Sequence, residues 1–476
     1  MIVRLLLIGL SVMLISSAAI ARPNVVVILT DDQDGTGSIS HMPKVLSLLA
    51  EQGVTFTNSF VNMSLCAPSR ASFLTGQAAH NHGIIGDQAP SGGWQKFRPL
   101  EGNALPVWLQ AAGYRTALFG KYMNAYGKIE PPQRGGLQSW VYRLGGDFGI
   151  DGTRQDDGDP HTWVPPGWDL WFAFAGTGYY GSLFNENGKL LKISDYSTDV
   201  LRDRAVRFIH EQSQTTAPFF MLIATKAPHT PAIPSHKYEQ AFGDIKLPMS
   251  PAFNERNVSQ KPPVISKLPT LDEEKIGKLQ KRYRGVLQTL LSVDDLVEAV
   301  VDALQSTGKL EDTIIIYTSD NGMMLGDHRW VGKYIAYEGS IRVPLVMRGP
   351  GIPKNETRSQ LVNNLDVVAT IEQLTNVTPG ISPDGRSLSP LFTSSAAPWR
   401  SAILIEALGH REAAVRTATR KYIKYGRDFE ELYDLVVDHY ELENKVRDTS
   451  YANDLASLRP TLDGLRRCSG SSCWVP

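Results

Sequence analysis

Cysteine is scarce in this chain of 476 residues. There are three, of which Cys468 and Cys473 stand close together near the end and Cys66 stands alone. So few thiols exclude a disulfide-built scaffold and a cysteine-rich zinc module. Net charge is nearly absent too, with 48 Lys and Arg against 49 Asp and Glu for a formal charge of −1. That balance excludes a binder of nucleic acid or polyanion working through a bulk basic surface, so any anion must be recognised locally. Beyond the N-terminal segment no apolar run is long enough to cross a bilayer, and the sequence contains no low-complexity tract or internal repeat. The length itself suggests roughly two to four domains with a large core.

What is present begins with "MIVRLLLIGLSVMLISSAAIARP". Arg4 supplies a short positive region, residues 5–15 form an apolar run too short to span a membrane, and Ala19-Ile20-Ala21 offers the small residues that signal peptidase accepts. The expectation is a signal peptide over 1–21, cleaved after Ala21, and export to a periplasm, to the outside or to a lysosome-like compartment. Cys468 and Cys473, in "RRCSGSSCW", fit such a compartment as a local disulfide. Without a nearby histidine they cannot complete a tetrahedral metal shell. Sequons at Asn62, Asn257, Asn355 and Asn376 matter only where the source glycosylates.

Four apolar runs, residues 24–32, 116–122, 218–225 and 313–322, read as buried parallel strands. Helical patterns lie between them, among them 42–53 and a long one ending at Gly308. Alternating strands and helices predict an α/β fold around a mostly parallel sheet, where ligands bind beyond the carboxyl ends of the strands. The first and last runs end in Asp31-Asp32 and Asp320-Asn321. Either pair alone could cap a helix; two pairs at strand ends favour a shared hard cation, Ca²⁺ or Mg²⁺. After about residue 395 the pattern becomes one of short strands and turns. We expect a catalytic domain over 22–394 and a smaller antiparallel α+β subdomain over 395–476, without a catalytic cluster of its own.

Cys66 opens the stretch "CAPSRASFLTG", in which cysteine, proline, serine, arginine and Leu74-Thr75-Gly76 fall in register with the signature of the type I sulfatases. The chain thus resembles that family, part of the alkaline-phosphatase-like superfamily, and the resemblance extends over roughly residues 24–445. It implies an alkaline-phosphatase-like fold. It also implies that a formylglycine-generating enzyme oxidises Cys66 to formylglycine before folding. One hydroxyl of the hydrated aldehyde attacks sulfur, the alcohol leaves, and the second hydroxyl expels sulfate as the aldehyde re-forms.

The resemblance assigns Asp31, Asp32, Cys66, Asp320 and Asn321 to the metal, with Ca²⁺ favoured over Mg²⁺. It assigns Arg70 to the diol and the metal's carboxylates. Lys121 and His229 fall to the sulfate, and Lys333 to the sulfate and to proton donation. Many members carry a histidine two residues after the first lysine, where this chain has Met123 followed by Asn124. That form resembles the branch of N-acetylglucosamine-6-sulfatases and extracellular heparan endosulfatases, and it makes Asn124 a candidate contact for sulfate or sugar. The large basic insertion of the endosulfatases is absent, which favours a short or terminal saccharide.

The expected activity is hydrolysis of a sulfate ester, favouring 6-O-sulfated N-acetylglucosamine. The alternatives are an aryl sulfatase of broad specificity, a phosphate or phosphonate ester hydrolase, and a non-catalytic saccharide binder that keeps a thiol at residue 66. No nucleic-acid partner and no stable membrane insertion are expected. His80, His82 and His328 are left without a role. Trp94, Trp108, Trp163, Trp168 and Trp171 are expected mainly in packing rather than sugar stacking. The Gly- and Asp-rich span 135–158 reads as a long surface loop.

Overall fold

The computed structural model describes residues 22–127, 160–176 and 178–475. The expected signal peptide and the 135–158 loop lie outside the described residues. Strands β1 (Asn24–Thr30), β7 (Phe219–Ala224) and β8 (Thr313–Ser319) are buried at every position, which explains their unbroken apolar sequence. They lie in one ten-stranded sheet with β2 (Val54–Phe56), β3 (Arg115–Gly120), β4 (Leu170–Gly176), β5 (Ser182–Glu186), β6 (Lys189–Ile193), β9 (Leu345–Arg348) and β10 (Glu356–Arg358). The order is β10-β2-β9-β8-β1-β7-β3-β4-β5-β6. The five central strands β8, β1, β7, β3 and β4 run parallel. Antiparallel neighbours, β9 on one side and the β5–β6 hairpin on the other, flank them.

Successive side chains of β1 point to opposite faces, and each face meets its own helices. Val25, Val27 and Leu29 pack with Ala71 and Leu74 of α1 (Cys66–Thr75) and with Val368 of α4 (Asn364–Thr375). Val26 and Ile28 pack with Leu201 and Phe208 of α2 (Ser197–Gln212) and with Leu290, Val293 and Val297 of α3 (Glu273–Ser306). Asp272 caps α3 by accepting from the Lys275 backbone N–H, and Gly308 follows its end at φ 69°. The helix expected over 42–53 is instead one α turn, Pro43–Val45, followed by a π turn over Leu46–Ala50.

The C-terminal region forms a separate antiparallel sheet, β11 (Ala402–Ala407), β12 (Glu412–Thr417), β13 (Arg420–Tyr425) and β14 (Phe429–Asp434), with α5 (Ala452–Leu465) packed on it. Cys468 and Cys473 are disulfide-bonded, and Cys66 is a free, buried cysteine. Among the described residues no helix is long and apolar enough to cross a membrane.

Candidate active site

The parallel register does most of the assembly. Thr30 of β1 pairs with Ser319 of β8, so the two acidic pairs leave the sheet side by side. Asp32 takes a left-handed backbone at φ 72°, a conformation a non-glycine residue holds only when its surroundings fix it. Its backbone N–H donates to Asp320 Oδ1 at 3.1 Å, and Asn321 Nδ2 donates to Asp32 Oδ1 at 2.7 Å.

Cys66 is the first residue of α1, a helix buried along its whole length and closed by Gly76 at φ 71°. Pro68 fits its first turn, where a missing N–H does no harm. Arg70 lies four residues on, on the same face as Cys66. Its guanidinium donates to Asp320 Oδ2 at 2.9 Å and to the Lys121 carbonyl at 2.8 Å, and stands 4.0 Å from Asp31. Lys121 leaves β3 and donates to Asp31 Oδ2 at 2.6 Å. His229 follows β7, its Nε2 3.8 Å from Asp32 Oδ2 and its Nδ1 2.7 Å from the Thr230 carbonyl. Lys333 donates to Asp32 and, at 2.6 Å, to Cys66 Sγ. The Cys66 thiol in turn lies 3.4 Å from Asp31 Oδ1.

Electrostatics ties these groups together. Burial works to raise the Asp31 carboxyl, yet Lys121, His229, Arg70 and Lys333 hold it well below the usual carboxylate range. Asp320 goes the other way: burial, joined by the charge of Asp31, pushes it up to about 6 against three cations. Burial also pushes the Cys66 thiol up. Lys333 keeps its proton more firmly than a free lysine, because Asp32 and its acidic neighbours outweigh burial.

The second sheet, together with the Ser64 carbonyl that accepts from the Tyr334 N–H at 2.8 Å, anchors the segment around Lys333. Just beyond it, the Ala336 N–H donates to Glu412 Oε1 at 2.7 Å and the Ala336 carbonyl accepts from Lys421 Nζ at 3.0 Å. The Tyr337 hydroxyl donates to Glu431 at 2.9 Å. Lys421, fully buried, also pairs with Glu338 at 2.8 Å and Glu441 at 2.6 Å. Glu412, Lys421 and Glu431 were not singled out in the sequence. They occupy strand positions with no exposure at all, and a buried charge at such a position is the signal that it meets a partner.

The structure therefore brings together Asp31, Asp32, Cys66, Arg70, Lys121, His229, Asp320, Asn321 and Lys333. Asn124 lies on the turn after Lys121; its Oδ1 is buried with no hydrogen-bond partner among the described residues. The three histidines without an assigned role serve elsewhere. His328 bonds Glu255 at 2.6 Å, His80 bonds Glu406 at 3.1 Å and the Cys468 carbonyl at 2.9 Å, and His82 bonds Ser72 at 3.0 Å. Trp94, Trp108, Trp168 and Trp171 are core residues, and Trp163 donates to the buried Glu101. The sequon asparagine Asn62 is 1% exposed and bonded on both sides of its amide, so it is closed to glycosylation in the folded chain.

The donor set suits a hard divalent ion. Ligand atoms of Asp31, Asp32, Cys66 and His229 lie within 4.8 Å of one another. Asp32 Oδ2 and Asn321 Oδ1 are buried acceptors with no hydrogen-bond partner among the described residues, a state that buried oxygens rarely keep without a ligand.

Comparison with known proteins agrees with this geometry. Residues 23–377 match the family model described as Sulfatase, and 326–468 match N-sulphoglucosamine sulphohydrolase, C-terminal. The chain is 33% identical to the N-acetylglucosamine-6-sulfatase of Homo sapiens, over 97% of this chain and 87% of that one. A solved structure in complex with its substrate D-glucosamine-2-N,6-O-disulfate superposes with a TM-score of 0.73 at 24% identity, covering 93% of this chain and 97% of the other. A phosphonate monoester hydrolase of Agrobacterium radiobacter superposes with a TM-score of 0.70 at 23% identity, covering 94% and 95%. With the Sulfatase model matched over residues 23–377 and a relative 33% identical along nearly the whole length, the chain belongs to the sulfatase family.

Proposed function

We propose that this chain hydrolyses a sulfate ester on a saccharide, with 6-O-sulfated N-acetylglucosamine as the favoured unit. The observation that carries this reading is the meeting of Cys66 with Arg70, Lys121 and Lys333 over three buried carboxylates. The named substrates of the relatives supply the choice of sugar.

The aldehyde implied at residue 66, once hydrated, supplies the attacking hydroxyl. Asp31, Asp32, Asp320, Asn321 and residue 66 would hold the ion, Ca²⁺ before Mg²⁺, and when bound it supplies Lewis-acid stabilisation of negative charge. The remaining work falls to side chains. Arg70 fixes Asp320 and the Lys121 carbonyl from the helix that carries residue 66, so nucleophile and carboxylates keep one geometry. Lys121 and His229 bind sulfate oxygens as charge moves onto them. Lys333, beside the residue 66 side chain, holds a proton for the leaving alcohol. Asn124 takes part in binding sulfate or sugar. We assign catalysis to 22–394 and treat 395–476 as the supporting subdomain, in a chain exported after loss of 1–21 and matured by a formylglycine-generating enzyme.

The test is sulfate release from N-acetylglucosamine-6-sulfate by protein shown by peptide mass to carry the aldehyde at residue 66. Release is expected, and Cys66→Ala is expected to abolish it without loss of the fold. Release that survives Cys66→Ala would refute the nucleophile. An aryl sulfatase or a phosphate or phosphonate ester hydrolase would be revealed by dominant turnover of matched aryl esters.

A further inference from the structure

Beside the site lie two more cations that make no direct ion pair among the described residues. Lys226, in the loop between β7 and His229, is 8% exposed, and its ammonium faces the Tyr179 ring at 5.5 Å. Arg282, on α3, has a buried Nε with no hydrogen-bond partner among the described residues. Neither forms a salt bridge among the described residues, whereas Arg70, Lys121 and Lys333 each pair with a carboxylate.

Their surroundings join them to the reacting groups. Tyr179 donates its hydroxyl to the His229 carbonyl at 2.7 Å. Three residues beyond Arg282, Gly285 lets α3 close on the same loop; a Cβ there would stand 2.5 Å from the Ala232 carbonyl oxygen. Burial lowers the pKa of both cations; the charges facing Lys226 are Asp31, Lys121, Asp32 and Cys66, and those facing Arg282 are Asp32 and Tyr179. Lys226 is buried and Arg282 half-buried; a cation partly stripped of water and left without an ion-pair partner is unfavourable, and an anion arriving from outside relieves it.

We infer that Lys226 and Arg282 form a second anion subsite, which takes a further sulfate or carboxylate carried by the same saccharide; this rests on the function proposed above. Specificity then comes from a charge beside the scissile ester, read by donors that the sulfate-cleaving residues do not use.

The experiment compares kcat/KM, in aldehyde-bearing protein, for three sugars. N-acetylglucosamine-6-sulfate carries one anion, glucosamine-2-N,6-O-disulfate a second sulfate, and a uronic acid–N-acetylglucosamine-6-sulfate disaccharide a carboxylate. Wild type is expected to prefer at least one doubly charged sugar by about 10-fold, the worth of a charged hydrogen bond, and the preferred sugar identifies the group. Lys226→Met and Arg282→Gln are expected to bring that ratio close to one, mainly through KM, while Lys226→Arg keeps most of it. A ratio near one in wild type, or a ratio unmoved while all sugars slow together, overturns the subsite. Should wild type cleave none of them, the proposed function fails, and the subsite is read from melting temperature in the presence of the disulfated sugar. Protection lost in Lys226→Met upholds it; protection that is absent in wild type, or survives the substitution, overturns it.

Discussion

Glu372 offers a sharp test of the packing beneath the nucleophile helix. It lies on α4, which packs against α1, and is 8% exposed with Oε1 unpartnered among the described residues. Burial pushes its carboxyl from an ordinary 4.5 up to about 8. Below pH 4.5 the group is protonated whether folded or unfolded, and nothing is lost. As pH rises, the unfolded chain ionises first, so stability falls steadily until the folded group also ionises near pH 8. Between pH 5 and pH 8 the loss is about 3 kcal/mol, from about 1.36 kcal/mol per unit over most of the shift. Glu372→Gln removes the titration and introduces an amide whose unmet donors cost about 1–2 kcal/mol at either pH. Urea unfolding of both proteins at pH 5 and pH 8 isolates the effect, because the amide term and all other titrations cancel in the double difference. The variant should gain about 3 kcal/mol on wild type between the two pH values. Equal differences at both would refute a buried, unpartnered acid.

Other outcomes follow from the same contacts. Asp320→Asn removes the charge that Arg70 grips; divalent-ion affinity by calorimetry should fall at least about 10-fold with sulfate release falling too, and unchanged affinity would tell against the metal assignment. Chelation should stop turnover, with Ca²⁺ restoring it better than Mg²⁺. Lys421→Met strands Glu441 and weakens the hold on Glu338, so stability should drop by about 3–5 kcal/mol. kcat should fall with it as the Lys333 segment loosens, and a variant with wild-type melting and kcat would refute the clamp.

Much of this architecture is legible in the sequence because the central strands are buried on both faces. "NVVVILT" and "TIIIYTS" need no alternation to read as strands, and the acidic residue after each marks the open end of the sheet. Cys66 and Arg70 are legible from their helical spacing and motif. Strands β4 to β6 escape the sequence reading, although "LWFAFAG" is apolar and aromatic enough to have shown the first of them. Lys226 and Arg282 are illegible for a different reason. In sequence, Lys226 is one more lysine just past a strand, and Arg282 one of several basic residues along a long helix. What sets them apart is that no described carboxylate pairs with either, and that is a property of three-dimensional packing.

The hold of the second sheet on Ala336 has a consequence for the order in which the chain becomes functional. The helix bearing Cys66 is made early in synthesis, whereas Glu412, Lys421, Glu431 and Glu441 come from the last fifth of the sequence. Ala336, three residues past Lys333, can take its final hold on Glu412 and Lys421 only after those strands exist and have docked. The surroundings of the site are therefore completed from the far end, and a chain stopped before residue 412 carries every group we assign to catalysis while lacking the Glu412 and Lys421 anchors on Ala336. A region to which we assign no catalytic side chain thus supplies the last anchors of the segment that carries Lys333.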